Sequence, residues 1–191
     1  MGLGAKESLG IRRGLGVPPL HQGIKVSKEM PVVTSRRLQP TSRHQGRSVC
    51  SISEMLPLPD EGIVVITATC TGDCVTIADM TLELSFVHSY SDELSLELMK
   101  AGRTIKLKRV GINPCFTMDY VNATIWDASE DLLETVCPVD GRVISPPSYS
   151  PYEELQAFAG VDSCGSWSLR ITDHYESDDG VFQSMKLVFM D

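Results

Sequence analysis

The side chains of this chain that could do chemistry are four histidines (His21, His44, His88, His174), six cysteines and several short acidic clusters. A subtilisin-type site needs a carboxylate, an imidazole and a serine that follows a Gly-Thr pair and projects beside oxyanion donors. The chain contains no Gly-Thr-Ser, and neither Ser163 nor Ser166 sits in Gly-x-Ser-x-Gly. The expectation is therefore that the chain does not catalyse hydrolysis on its own. His88 is the best-placed histidine. It reads either as a ligand or base beside Asp92 and Glu93, or as an inward histidine hydrogen-bonded to backbone or to Tyr90.

Calcium takes six to eight oxygen ligands and tolerates irregular loops, so carboxylates at strand ends suit it. Asp127, Glu130 and Asp131 form one such cluster, Asp92 and Glu93 a second, and Asp173 with Asp178 and Asp179 a third, none with EF-hand spacing. Asp92, Glu93, Asp127, Asp131 and Asp173 are the expected calcium ligands. The competing reading is a solvated acidic surface with turn-forming aspartates.

Cys50, Cys70, Cys74, Cys115, Cys137 and Cys164 are even in number, and Asn122-Ala123-Thr124 matches an N-glycosylation acceptor. Both point to disulfides and to an extracellular or secretory compartment, although no signal peptide is visible after Met1. Cys70 and Cys74 could close a small loop, leaving four cysteines with three alternative pairings. Zinc at Cys70-x3-Cys74 lacks a second close pair to complete four ligands.

Something must position these groups, and charge divides the chain. Residues 1–50 hold nine Lys or Arg against two Glu, a charge of +7, while residues 51–191 carry −15. The first fifty residues have seven Gly, four Pro and no aromatic residue, and their apolar residues follow no period. Such a segment cannot offset its ordering entropy by burial, and it is expected to be a disordered basic arm or linker. Without interleaved aromatics it does not read as a nucleic-acid arm. The longest apolar stretch, Ile63 to Ala68, is far too short to span a membrane.

The acidic part reads as β. Met80, Leu82, Leu84, Phe86 and His88 alternate with Thr81, Glu83, Ser85 and Val87, and Leu94, Leu96 and Leu98, then Ile105 and Leu107, then Trp167, Leu169 and Ile171 alternate with polar neighbours. Lys100-Ala101-Gly102-Arg103 is a hairpin turn, Ile63 to Cys70 and Tyr120 to Trp126 add strands, and Met185, Leu187 and Phe189 close the chain. Tyr152 to Phe158 reads as a helical turn entered at Pro151. The expected fold is an all-β, jelly-roll-like sandwich over residues 51–191.

Several segments resemble, in order, a known family. Leu56-Pro57-Leu58-Pro59-Asp60-Glu61-Gly62 looks like the opening of the P domain, or P/Homo B domain, of kexin and other subtilisin-like proprotein convertases. His88-Ser89-Tyr90-Ser91-Asp92-Glu93-Leu94, then Leu155-Gln156-Ala157-Phe158-Ala159-Gly160, then Gly165-Ser166-Trp167-Ser168-Leu169-Arg170-Ile171-Thr172-Asp173 are similar to later family segments. His88, Tyr90, Phe158, Gly160, Gly165, Trp167 and Asp173 carry the likeness. Ser91 and Asp92 replace the Arg and Gly common in the family, Met185 stands at a common Trp, and Val136 to Ser150 is a longer loop than usual. The resemblance implies a non-catalytic companion that packs on a subtilisin-like catalytic domain, supports its folding and tunes its calcium and pH dependence. The alternative is a free-standing secreted β-sandwich that binds protein or carbohydrate.

Overall fold

The computed structural model describes residues 33–34, 46–112, 119–137 and 140–191. The expected arm therefore lies mostly outside the described residues. Two sheets pack as a sandwich. One holds, in spatial order, β1 (Val33–Thr34), β3 (Gly62–Cys70), β11 (Gly165–Asp173), β5 (Leu94–Lys100) and β6 (Arg103–Lys108). The other holds β2 (Arg47–Leu58), β12 (Gly180–Met190), β4 (Asp79–His88), β7 (Asp119–Ile125), β10 (Tyr149–Ser150) and β8 (Asp131–Leu132), with β9 (Arg142–Ile144) also paired to β7. Among the described residues there is no α-helix, only three 3-10 turns, and no helix long and apolar enough to cross a membrane.

The alternation in the sequence is the alternation of burial. Met80, Leu82, Leu84 and Phe86 of β4 face Leu96, Leu169, Ile171 and their neighbours across one core, where each side chain is removed from water. Trp167 sits between the sheets, edge-on to Phe158 at 5.0 Å and tilted against Phe189 of β12 at 5.1 Å. The β5–β6 turn has Ala101 and Gly102 both at positive φ, the conformation that lets a two-residue loop follow the right-handed strand twist. In β12 the inward residues are Phe182 and then Met185, three apart rather than an even number. A bulge against β4 at Gln183 restores the phase.

Three sequence expectations change. The helical turn spans only Leu155–Phe158 and is organised by Asp127, whose carboxylate accepts the N–H groups of Leu155 and Gln156, each at 2.7 Å, rather than by Pro151. The expected loop from Val136 to Ser150 contains β9 and β10, both parallel to β7. Cys70 and Cys74 do not pair. Cys70, at the buried end of β3, bonds to Cys50 of β2 and staples the two sheets, whereas exposed Cys74 bonds to Cys164 across 90 residues of sequence. Cys137 is disulfide-bonded as well, and Cys115 lies outside the described residues.

Strand β2 begins at Arg47, inside the compositionally basic segment, and Val49 to Arg47 pair with Val188 to Met190. Deleting residues 1–49 should therefore lower the melting temperature by several degrees more than deleting residues 1–45, as read by thermal denaturation. The difference comes from the lost strand end and not from the arm.

A second packing device was invisible in the sequence. Glu134 is fully buried, and its oxygens accept from Arg109 Nε (3.2 Å), NH2 (2.6 Å) and backbone N–H (3.0 Å), while the guanidinium lies 3.8 Å from the Tyr152 ring centroid. Burial opposes the Glu134 charge, but the Arg109 hydrogen bonds outweigh it and hold the carboxyl below its ordinary range. A depressed folded value gives stability that is present above the ordinary glutamate range and lost as pH falls through the folded value. Acid denaturation monitored for wild type and Glu134→Gln should show the variant losing less stability over that window.

Candidate functional site

At one end of the sandwich, β4 and β11 deliver His88 and Asp173 to the same point. Both are the last residues of their strands, and both side chains are 0% exposed. His88 Nε2 lies 3.1 Å from Asp173 Oδ2, and Nδ1 lies 2.9 Å from the Tyr90 carbonyl and 3.1 Å from the Tyr90 N–H. Asp173 Oδ1 accepts the Tyr175 N–H at 3.2 Å. Burial raises the Asp173 carboxyl above its ordinary value, against the opposing pull of the Tyr175 N–H and His88. Every polar atom of the pair thus has a partner within the protein, and the imidazole has no open face for a substrate.

Gly180, the first residue of β12, is fixed by this pair. A Cβ there would meet the His88 ring and the Val87 carbonyl at 2.5 Å. Gly180→Ala should cost about 1–3 kcal/mol in denaturant unfolding, because strand and ring cannot both stay in place.

Loops lace the same end together. Ser89 and Asp179 exchange hydrogen bonds, Ser177 N–H reaches Asp60 Oδ1 at 2.7 Å, and His174 N–H reaches the Glu93 carbonyl at 3.2 Å. The Glu93 carboxyl is raised above its ordinary value by burial first, then by Asp178 and Asp173. Its Oε2 is buried with no donor. Glu93 meets Asp178 carboxyl to carboxyl, a contact that becomes a hydrogen bond only when one of them holds a proton. With the folded value raised, the associated stability is full below the ordinary glutamate range and is lost as pH rises through the folded value. Glu93→Gln should accordingly raise the melting temperature at pH 7 and leave it nearly unchanged at pH 4.

The expected calcium ligands separate into two places. Glu93 and Asp173 share the acidic end with Asp178. Asp92 stands beside them, but its Oδ1 accepts the Ile112 N–H at 3.1 Å and lies 3.8 Å from Lys108 Nζ. Asp127 is occupied by the Leu155 turn, and exposed Asp131 belongs to edge strand β8. Among the described residues these carboxylates do not bring three ligand atoms within 4.8 Å of one another. Asn122 is exposed on β7. Tyr90 is exposed, Phe158 and Trp167 are core, and Gly160 holds positive φ in a turn and Gly165 at the first position of β11. Asp178, expected with Asp173 in the third cluster, meets Glu93 there; Asp60 completes the acidic end without having been expected, because its contact with Ser177 joins residues far apart in sequence and leaves no local pattern. Among the described residues one serine–histidine contact exists, Ser95 Oγ to His174 Nε2 at 2.9 Å, on an exposed strand face. Among the described residues no carboxylate is hydrogen-bonded to the other nitrogen of that ring.

No family model matches the chain. It is similar to a transglutaminase-activating metalloprotease of Streptomyces mobaraensis, 24% identical over 148 residues, an alignment that takes in 75% of this chain. The chain spans 15% of that relative's length. Among solved structures it is similar to a serine protease of Aeromonas sobria at 14% identity and a TM-score of 0.40, covering 74% of this chain and 27% of that one. It is likewise similar to that protease in complex with a chaperone, at 14% identity and a TM-score of 0.39, covering 75% of this chain and 27% of that one.

Proposed function

We propose that the chain is a non-catalytic, protease-associated β-sandwich of the P/Homo B kind, acting by stabilising or regulating a protease catalytic domain. The observation that carries this reading is the walled-in His88–Asp173 pair. The one histidine that the sequence favours for chemistry is wholly buried and satisfied, and so serves to hold β4 and β11 together. The metalloprotease relative supports association with proteolysis, since the likeness covers most of this chain but a small part of that protease. The disulfides fit an oxidising, extracellular setting.

The purified chain should not react with a fluorophosphonate probe or cleave a dibasic peptide. Labelling that disappears in Ser95→Ala or His174→Ala would overturn the non-catalytic reading. Calcium belongs to the proposal at Glu93 and Asp178, where a divalent ion would replace the missing donor and relieve self-repulsion in a part of the chain carrying −15. Calcium should then raise the melting temperature more than magnesium does at matched ionic strength, and Glu93→Gln with Asp178→Asn should remove the difference. Equal effects of the two ions would remove calcium from the proposal.

One observation favours a second reading, an independent binding module. A cleft of about 850 Å³ opens where β8, β9 and β10 meet, lined by Asp131, Asp140, Arg142, Ile144, Pro146 and Tyr149 among others. Its size is that of a ligand site.

A further inference from the structure

The Cys74–Cys164 disulfide at the surface sits in a different chemical setting from the buried Cys50–Cys70 one. Cys50 and Cys70 are both buried between the sheets. Cys74 and Cys164 join two loops at the surface, and the carboxylate of exposed Asp162 lies with both sulfurs inside a 4.8 Å circle. Among the described residues no other three His, Cys, Asp or Glu side chains bring ligand atoms so close. The Gly72 carbonyl is 3.2 Å from Cys74 Sγ and 4.0 Å from Cys164 Sγ.

The two loops do not depend on the disulfide to stay together. Val75 N–H donates to Ser163 Oγ at 2.9 Å, and Ser163 N–H donates to the Val75 carbonyl at 3.0 Å. Ile77 N–H reaches Val161 O at 3.0 Å, Gly160 N–H reaches Ile77 O at 2.8 Å, and Thr76 bridges Asp162. The Ser163 carbonyl is in turn held by Trp167 Nε1 at 2.8 Å. Opening the S–S bond would therefore leave two thiols and a carboxylate still facing one another. Lys100, whose ammonium donates to the Cys164 carbonyl, places one positive charge beside them and favours thiolates. Two thiolates and Asp162 carry three negative charges. Against Lys100, a divalent cation neutralises what remains.

We propose that reduction converts Cys74, Cys164 and Asp162 into a binding site for a thiophilic divalent cation of the zinc type. A dithiol reductant supplies two electrons and two protons, the Cys74–Cys164 bond breaks, and the reductant leaves as its own disulfide. The cation then displaces the two thiol protons, taking two sulfurs and one carboxylate oxygen, with water or the Gly72 carbonyl in the fourth tetrahedral position. Exposed disulfides are the ones that reductants reach, so Cys74–Cys164 opens before Cys50–Cys70.

Cobalt(II) reads out the site, because thiolate ligation gives charge-transfer absorption in the near ultraviolet. The full chain is reduced with a dithiol, freed of reductant without air and titrated with cobalt(II), then with zinc. One equivalent of cobalt should produce the band, zinc should abolish it, and the oxidised chain should show none. Zinc should also protect Cys74 and Cys164 from alkylation, mapped by mass spectrometry. Asp162→Asn should weaken cobalt binding about tenfold or more with the far-ultraviolet dichroism unchanged. A reduced chain that gives no band, a band that survives in Cys74→Ser with Cys164→Ser, or zinc protection confined to other cysteines would overturn the proposal.

Discussion

Trp167→Ala should lower the stability of this chain by about 3–5 kcal/mol, the cost of leaving a void where a large aromatic side chain was fully packed. Trp167 is 0% exposed, contacts Phe158 and Phe189, and lies under Lys100 at 5.2 Å from the ring centroid. It also carries the hydrogen bond from Nε1 to the Ser163 carbonyl, which the substitution leaves as a buried acceptor without its donor. At roughly 2–4 °C per kcal/mol for a chain of this size, the melting temperature should fall by roughly 6–20 °C. Trp167→Phe keeps most of the volume and should lose less. A loss below about 1 kcal/mol for the alanine variant would show that the two sheets do not close on this side chain.

Asp173→Ala is expected to be the next most damaging change, at about 3–5 kcal/mol, because it removes one member of a buried, hydrogen-bonded pair and strands the other. His88 Nε2 would lose its acceptor at a place water does not reach, and the part-buried Tyr175 N–H would lose its acceptor too. His88→Ala combined with Asp173→Ala should cost clearly less than the two single losses added together, since each single variant already breaks the same contact. Urea unfolding of the four proteins measures this coupling. Strict additivity would mean that the pair is not the tie between β4 and β11.

The sheets were largely legible in the sequence, and the acidic end was legible only in part. Strands β4, β5, β11 and β12 announce themselves because one face of each is buried, so their apolar residues recur every second position. Strand β2 escaped because its buried residues, Cys50, Ile52, Leu56 and Leu58, skip Glu54 and Pro57 interrupts it, and its place is set by pairing with β12 rather than by its own pattern. His88 stood out as an inward histidine at a strand end. Its partner Asp173 is 85 residues away, and no local spacing joins them. The same reason hid the Glu134–Arg109 tie and made Cys70–Cys74 look like a natural loop. Closeness in sequence does not reveal that Cys70 points between the sheets toward Cys50 while Cys74 lies on the surface.

The functional proposal stands or falls on whether this chain acts on a protease domain without doing chemistry itself. The most direct measurement is the rate at which a protease catalytic domain from the same genome loses activity on heating, with and without an equimolar amount of this chain. The account predicts a slower loss of activity with the wild-type chain and no protection by Asp173→Ala, whose acidic end is no longer held. Identical inactivation rates with and without the wild-type chain, for both a subtilisin-like domain and a metalloprotease domain, would contradict it.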